Sequence, residues 1–263
     1  MVRRTVVLLA VLPALLLVAA SCGSASAHDS GADQLTPPPR DACHDLTARD
    51  LARPTDAHAA VPCSHRHTTQ TFATGTLPRD AGTSYDDRRH GAFVFAACSQ
   101  AFRDYLGVDE SLAMRIQLRW AWFRPSQRAW ERGARWYRCD VVGGNDGDTA
   151  LPALPADAHG LFSTDLPDAW LTCARGNSVV RADRVPCSER HDWRAVSTIK
   201  VGFPADPYPG DRIVQVRSRD RCSDWVGAWS HYAVNYDFGY TWFHEAEWST
   251  GNRRSVCWAW TDR

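Results

Sequence analysis

Apolar and polar positions alternate over residues 114–122, where Met114, Ile116, Leu118, Trp120 and Trp122 are separated by Arg115, Gln117, Arg119 and Ala121. A period of two puts each set on its own face of an extended chain, so this stretch predicts a half-buried strand. Phe238, Tyr240 and Trp242 mark a counterpart later in the chain. Residues 67–77 and 191–201, rich in Thr, Val and aromatics, predict two further strands. Over 92–106 the spacing changes: Phe93, Ala97, Phe102 and Leu106 fall on one helical face, and Gly107 supplies a stop. Residues 213–226 form a weaker equivalent, ending at Gly227, and a last strand in each half carries Cys139 or Cys257.

The same punctuation occurs twice along this pattern. Val61-Pro62-Cys63-Ser64-His65-Arg66-His67 returns as Val185-Pro186-Cys187-Ser188-Glu189-Arg190-His191. Trp130-x-x-Gly133-x-Arg135-x-x-x-Cys139 returns as Trp248-x-x-Gly251-x-Arg253-x-x-x-Cys257, in the same order. Ordered repetition of two motifs indicates a tandem duplication. The expected fold class is therefore α+β, as two similar small modules, each an antiparallel sheet with one packed helix. The first module is assigned to 41–143 and the second to 168–263. Gly, Asn, Asp and Pro mark 144–167 as the linker between them. Residues 23–40, which end in Pro37-Pro38-Pro39, read as a flexible tether that stiffens into an extended segment.

The N-terminus changes the compartment. Arg3 and Arg4 precede an apolar run over 6–20, too short for a comfortable membrane span and placed as an export signal. Ala19-Ala20-Ser21-Cys22 resembles a lipobox, with Ala19 where leucine is common, so 1–22 is read as a signal peptide whose Cys22 is lipidated. Cleavage after Ala25 or Ala27 is the rival. Two acyl chains suffice for stable anchoring, which makes the membrane a partner and places the chain on the outer face of the cytoplasmic membrane. Of nine cysteines, eight remain once Cys22 is set aside, four per half. An exported chain with paired cysteines expects disulfides. The thirty basic and thirty acidic residues cancel, with no basic stripe, which excludes nucleic acid as a partner.

Four cysteines per module allow three internal pairings, and spacing does not choose among them. The set adopted is Cys43–Cys63, Cys98–Cys139, Cys173–Cys187 and Cys222–Cys257. It ties each module's opening segment to the following strand and each helix to the last strand.

V-P-C-S-x-x-H, a later helical cysteine and W-x-x-G-x-R-x-x-x-C together resemble the actinobacterial septum formation domain. Arg66 and Arg190 stand where that family's signature has proline, and its opening segment is reduced to Asp41-Ala42-Cys43 and Leu171-Thr172-Cys173. The resemblance covers both modules and implies a cell-envelope role linked to division or wall assembly, with a cell-wall or division-protein partner. It brings no defined chemistry.

The repeated ionisable residues are His67, His191, Arg135 and Arg253, the candidate binding residues. No nucleophile repeats with the histidines, so the expectation is structural: a ring that bonds a neighbouring carbonyl. The arginines could clamp a carboxylate or phosphate, and the expectation is again internal bonds to carbonyls. No metal or cofactor is expected. The closest cysteines are fourteen apart, and Glu189 replaces His65 in the second module, which leaves His44, His58, His65, His67 and His90 as an opportunistic set at best. Ser197-Thr198-Ile199-Lys200 matches S-x-x-K, but on a strand an offset of three sends the two side chains to opposite faces. Among twelve tryptophans, Trp120, Trp122, Trp130, Trp136, Trp242 and Trp248 are the set able to stack on sugar rings, with most expected in cores. The functional expectation is a non-enzymatic binding or scaffolding lipoprotein of the envelope, with no catalytic residues. The alternatives are a carbohydrate- or peptidoglycan-binding surface protein and an envelope hydrolase.

Overall fold

A computed structural model describes residues 31–261. The signal segment, Cys22 and the first part of the tether lie outside the described residues.

In chain order the first module comprises β1 (Cys43–His44), α1 (Ala48–Leu51), β2 (Thr69–Thr76), α2 (Arg89–Leu106), α3 (Glu110–Ala113), β3 (Leu118–Phe123), α4 (Gln127–Glu131) and β4 (Trp136–Gly143). The second comprises β5 (Thr172–Arg175), β6 (Asp183–Pro186), β7 (Trp193–Lys200), α5 (Asp211–Trp229), β8 (Phe238–Thr241), α6 (Glu245–Ser249) and β9 (Arg254–Trp260). The sheets run β1-β2-β4-β3 and β6-β5-β7-β9-β8, antiparallel throughout. Val61 bridges Cys43 where β6 pairs with β5, so the two orders are one topology. Even the irregularity repeats: the register of β2 on β4 slips between Thr71 and Ala73, and that of β7 on β9 between Ala195 and Ser197. A bulge bends a strand and tightens its twist, and here both sheets bend at the same place. The fold is α+β in two modules.

On one face of each sheet lies its long helix. In the first module, Val94, Cys98, Phe102 and Leu106 of α2 are buried with Phe72, Cys139 and Val141 of the sheet. Gly107 ends α2 in the left-handed region (φ 74°), as a C-terminal glycine does without the penalty of a Cβ. In the second module, Val214, Cys222 and Val226 of α5 pack on Ile199, Phe243 and Cys257. Gly227 does not stop this helix, which runs on to Trp229. A Cβ there would sit 2.9 Å from the Tyr236 hydroxyl, so the glycine lets Tyr236 close over the helix. The disulfides are Cys43–Cys63, Cys98–Cys139, Cys173–Cys187 and Cys222–Cys257. They set the fold in an oxidising compartment, consistent with export.

Three sequence expectations change in detail. The strand expected over 114–122 begins at Leu118. Ile116 instead bridges Leu171 of the second module, and flanking bonds run from the Gln117 amide to Trp170 O and from the Thr172 amide to Arg115 O (2.8 Å each). The tether assigned to 23–40 is docked on the first module at residues 32–34. Ala32 is buried, the Ser126 amide donates to Ala32 O, and the Trp136 indole donates to Gln34 O at 2.8 Å, which satisfies a polar group a buried tryptophan cannot leave unpaired. The 144–167 connection is a strap on the first module. Leu154, Ala158 and Phe162 enter its core, and backbone bonds join Leu154 to His67, Gly160 to Tyr105 and Phe162 to Leu106. Its leucines and phenylalanine have apolar surface to bury, which its turn residues concealed.

The core of the first module continues through Ile116 and Leu118 into Leu171, Cys173, Val185 and Cys187 of the second. Gln117 Nε2 donates to Val185 O (3.1 Å) inside this junction, and Arg254 pairs with Glu110 (3.1 Å) at its edge.

Candidate functional site

The repeated motifs resolve into two structural devices. In the first, Pro62 and Pro186 open a turn closed by the amides of His65 and Glu189, with the disulfide cysteine inside it. The histidine that follows is buried in both copies. Its Nδ1–H donates back two residues, His67 to His65 O (2.9 Å) and His191 to Glu189 O (2.7 Å). Because a carbonyl only accepts, this bond fixes the proton on Nδ1. Nε2 of each ring is buried without a hydrogen-bond partner among the described residues. Arg66, at the signature's proline position, reaches Asp45 (2.5 Å) and Leu151 O of the strap.

In the second device a short helix, α4 or α6, ends at Gly133 or Gly251, with φ of 102° and 106°. The sharp turn folds the arginine back over the tryptophan ring. Arg135 lies 3.8 Å from the centroid of Trp130 and Arg253 3.8 Å from that of Trp248. Arg135 donates to Trp130 O and Ala134 O, and Arg253 to Trp248 O and Asn252 O. Arg253 also reaches Phe203 O and Pro204 O, so its donors are engaged on both sides. The planar guanidinium stacks and forks at once, which an ammonium cannot do.

Sequence reasoning missed a buried charged cluster on the opposite face of the first sheet. Arg138 and Asp140 on β4, 1% and 0% exposed, form an ion pair at 2.8 Å. Arg138 also bonds Asp56 (2.7 Å), and Thr71 Oγ1 donates to Asp140 (2.8 Å). Asp56 accepts from the His58 amide (2.9 Å) and ring (2.8 Å), and His44 approaches it at 3.7 Å. Burial works against the Asp56 carboxylate, but the His58 amide and the Arg138 charge outweigh it and hold its pKa below 3.8. Burial, then the Arg138 charge, hold the His44 pKa below 6.5 against the opposing pull of Asp140 and Asp56. In the second module Val256 and Trp258 occupy the positions of Arg138 and Asp140, in an apolar cluster with Ala174, Trp193 and Ala195. One signal was available: Arg138 and Asp140 share a face of an otherwise apolar strand.

A cleft of about 520 Å³ lies where the modules meet. Phe95 of α2 and Trp120 of β3 form its apolar wall, with ring centroids 5.7 Å apart. Facing them is the turn that carries Gly251 and Arg253, close enough that a Cβ on Gly251 would lie 4.0 Å from the Phe95 ring. Arg103, Arg119, Lys200, Arg253 and Arg254 bring five positive charges, against Glu110 and Asp146. Of the four candidate binding residues only Arg253 lines this cleft, and there it is part of the wall.

The other candidates disperse. Among the described residues no three His, Cys, Asp or Glu side chains gather as metal ligands. His44 and His58 meet around Asp56, while His90 packs on Trp130. Ser197 lies within β7, its hydroxyl turned to Thr198 O, and Lys200 ends that strand at the cleft. Trp130, Trp136 and Trp248 are buried. The most exposed tryptophans are Trp225 and Trp229 on α5, outside the expected set. They follow Val226 and Cys222 around the helix on its outward side, a position that a weakly periodic sequence did not disclose.

A family model described as septum formation matches residues 21–124 and again 115–257. The matches overlap over 115–124, the stretch that carries β3 and the bridge to the second module. No curated protein matches the chain. No solved structure matches it.

Proposed function

This chain belongs to the septum formation family, a septum-related role follows from that membership, and we propose that it acts there as a non-enzymatic binding module of the cell envelope. The observation that carries the reading is the fate of the repeated residues. His67 and His191 turn their donor nitrogens into their own backbone, and Arg135 and Arg253 are spent on a tryptophan and on carbonyls. The duplication therefore multiplies a scaffold, and the surface left for recognition is the one created by joining two copies. Cys22 anchors the chain by lipid to the outer face of the cytoplasmic membrane. The cleft favours a carbohydrate-type ligand over a protein partner, because it offers aromatic faces beside an excess of cations over carboxylates.

The test is fractionation and imaging of the full-length chain with an export-competent fluorescent tag. Wild type should fractionate with membranes and gather at the septum, and Cys22→Ala should be released from the membrane. A Cys22→Ala protein still held in the membrane fraction overturns the anchor. Uniform wild-type signal overturns the septal binding role.

A further inference from the structure

Resting on the envelope-binding reading, we infer that the cleft between the modules is a binding site for an anionic saccharide, with sugar rings against Phe95 and Trp120 and the acidic group held by Lys200, Arg103 and Arg119. Phe95 forms the apolar half of the site. It is 49% exposed and stands beside Trp120 along the open cleft. A phenyl ring in that position is costly to leave wet, and it presents a flat face to a ligand.

The polar half is the imbalance of charge and the engagement of each cation. Arg254 is committed to Glu110 and to the Thr198 hydroxyl, and Arg253 to four carbonyls. Arg119 is held more loosely: its Nε makes no hydrogen bond among the described residues and lies 3.5 Å from Asp146 Oδ1, on a side chain that is 98% exposed. Arg103 leans on Gln100, a neutral group. Lys200 lies 5.6 Å from the Phe203 ring, with no carboxylate partner among the described residues. Three cations thus face a cleft in which Glu110 is paired with Arg254 and the solvent-exposed Asp146 is the one carboxylate beside them, at Arg119. A carboxylate or phosphate on a ring-bearing polymer answers both halves. A neutral glycan answers only the aromatic half, and a free anion only the other.

Lys200 is the sole lysine of the chain, which makes the site readable without mutation. The purified mature chain would be reductively methylated, with Lys200 modification followed by mass spectrometry. The competitors would be a muramic-acid-containing peptidoglycan oligosaccharide, a phosphodiester-linked glycan, an uncharged N-acetylglucosamine oligomer of equal length, and inorganic phosphate. Protection of Lys200 by either anionic glycan, about tenfold stronger than by the neutral oligomer, supports the site, and the stronger of the two names the source of the acidic group. Phe95 is half exposed and outside the core cluster, so Phe95→Ala should weaken that protection about tenfold with the thermal transition unchanged. Equal protection by the neutral oligomer, equal protection by phosphate alone, or none from any competitor overturns the inference. Those results would leave the septal reading standing, since that reading depends on where the protein gathers in cells.

Discussion

The guanidinium of Arg253 lies 3.8 Å from the centroid of the Trp248 ring while it donates to carbonyls on both sides of it. Arg135 repeats the arrangement over Trp130. The glycine between tryptophan and arginine makes the turn possible, and the arginine then closes it. This stack is why the second repeated motif has its spacing.

Arg253→Ala should therefore lower the stability of the second module by about 2–3 kcal/mol, from a partly exposed cation–π contact of about 1 kcal/mol and the two part-buried hydrogen bonds to Trp248 O and Asn252 O at roughly 1 kcal/mol each, the two exposed bonds adding little. Arg253→Lys should recover less than half of this, because a single ammonium cannot stack and reach both sets of carbonyls. Chemical denaturation of both variants measures it. A lysine variant as stable as wild type would show that charge alone suffices.

Replacing Arg138 should be among the most damaging single changes. Arg138→Met leaves Asp56 and Asp140 buried without their shared cation, and breaking a buried pair in this way costs about 3–5 kcal/mol. The matching positions of the second module, Val256 and Trp258, indicate that the fold itself does not require charge there. A combined Asp56→Asn, Arg138→Met and Asp140→Asn chain should be closer to wild type than Arg138→Met alone. The account of the cluster fails if the single variant is the more stable.

The same cluster makes the protein acid-sensitive. The folded-state pKa of His44 lies below 6.5, so as pH falls past that value the unfolded chain takes up a proton that the folded chain refuses. Unfolding is favoured progressively below pH 6.5. Asp56 acts likewise below 3.8: its carboxylate stays ionised when folded and protonates when unfolded. The groups that face His44 are Asp56, His58, Asp140 and Arg138. Denaturant unfolding at pH 7.5 and 5.5 should show a loss of stability that shrinks in His44→Leu, since neither ring nitrogen has a hydrogen bond to lose. An unchanged loss would remove His44 as its source.

Cys98–Cys139 and Cys222–Cys257 each tether a long helix to an interior strand of its sheet, across 41 and 35 residues. Paired Cys→Ala replacement of the first should cost about 2–5 kcal/mol. Calorimetry checks this, and a transition shifted by less than the error of the measurement would mean that α2 is held by packing alone.

The regular parts of the fold were legible because they are written in period two, in period 3.6 and in repetition. Leu118, Trp120 and Trp122 alternate, Phe102 and Leu106 share a helix face, and the turn around Pro62 returns around Pro186. His67 and His191 bond neighbouring carbonyls, an arrangement a strand-initiating histidine can form locally. What could not be read depends on pairs far apart in sequence. Asp56 meets Arg138 across 82 residues, and no periodicity links them. The cleft forms where the modules join, through the Ile116–Leu171 bridge and the Arg254–Glu110 pair, with Phe95 near the turn at Gly251. The strap over 144–167 was disguised by its own prolines and glycines, while Leu154 and Phe162 carried the burial.

The central claim is that the repeated residues build the scaffold and that recognition resides where the two copies meet. Imaging of dividing cells that express wild type, a seam variant (Phe95→Ala with Lys200→Glu) and a motif variant (His67→Ala with His191→Ala) tests it most directly, with solubility and thermal transition recorded for each. The account predicts septal enrichment for wild type, an even membrane signal for the folded seam variant, and septal enrichment for whatever folded fraction the motif variant retains. A folded seam variant that still gathers at the septum, or a folded motif variant that does not, would contradict it.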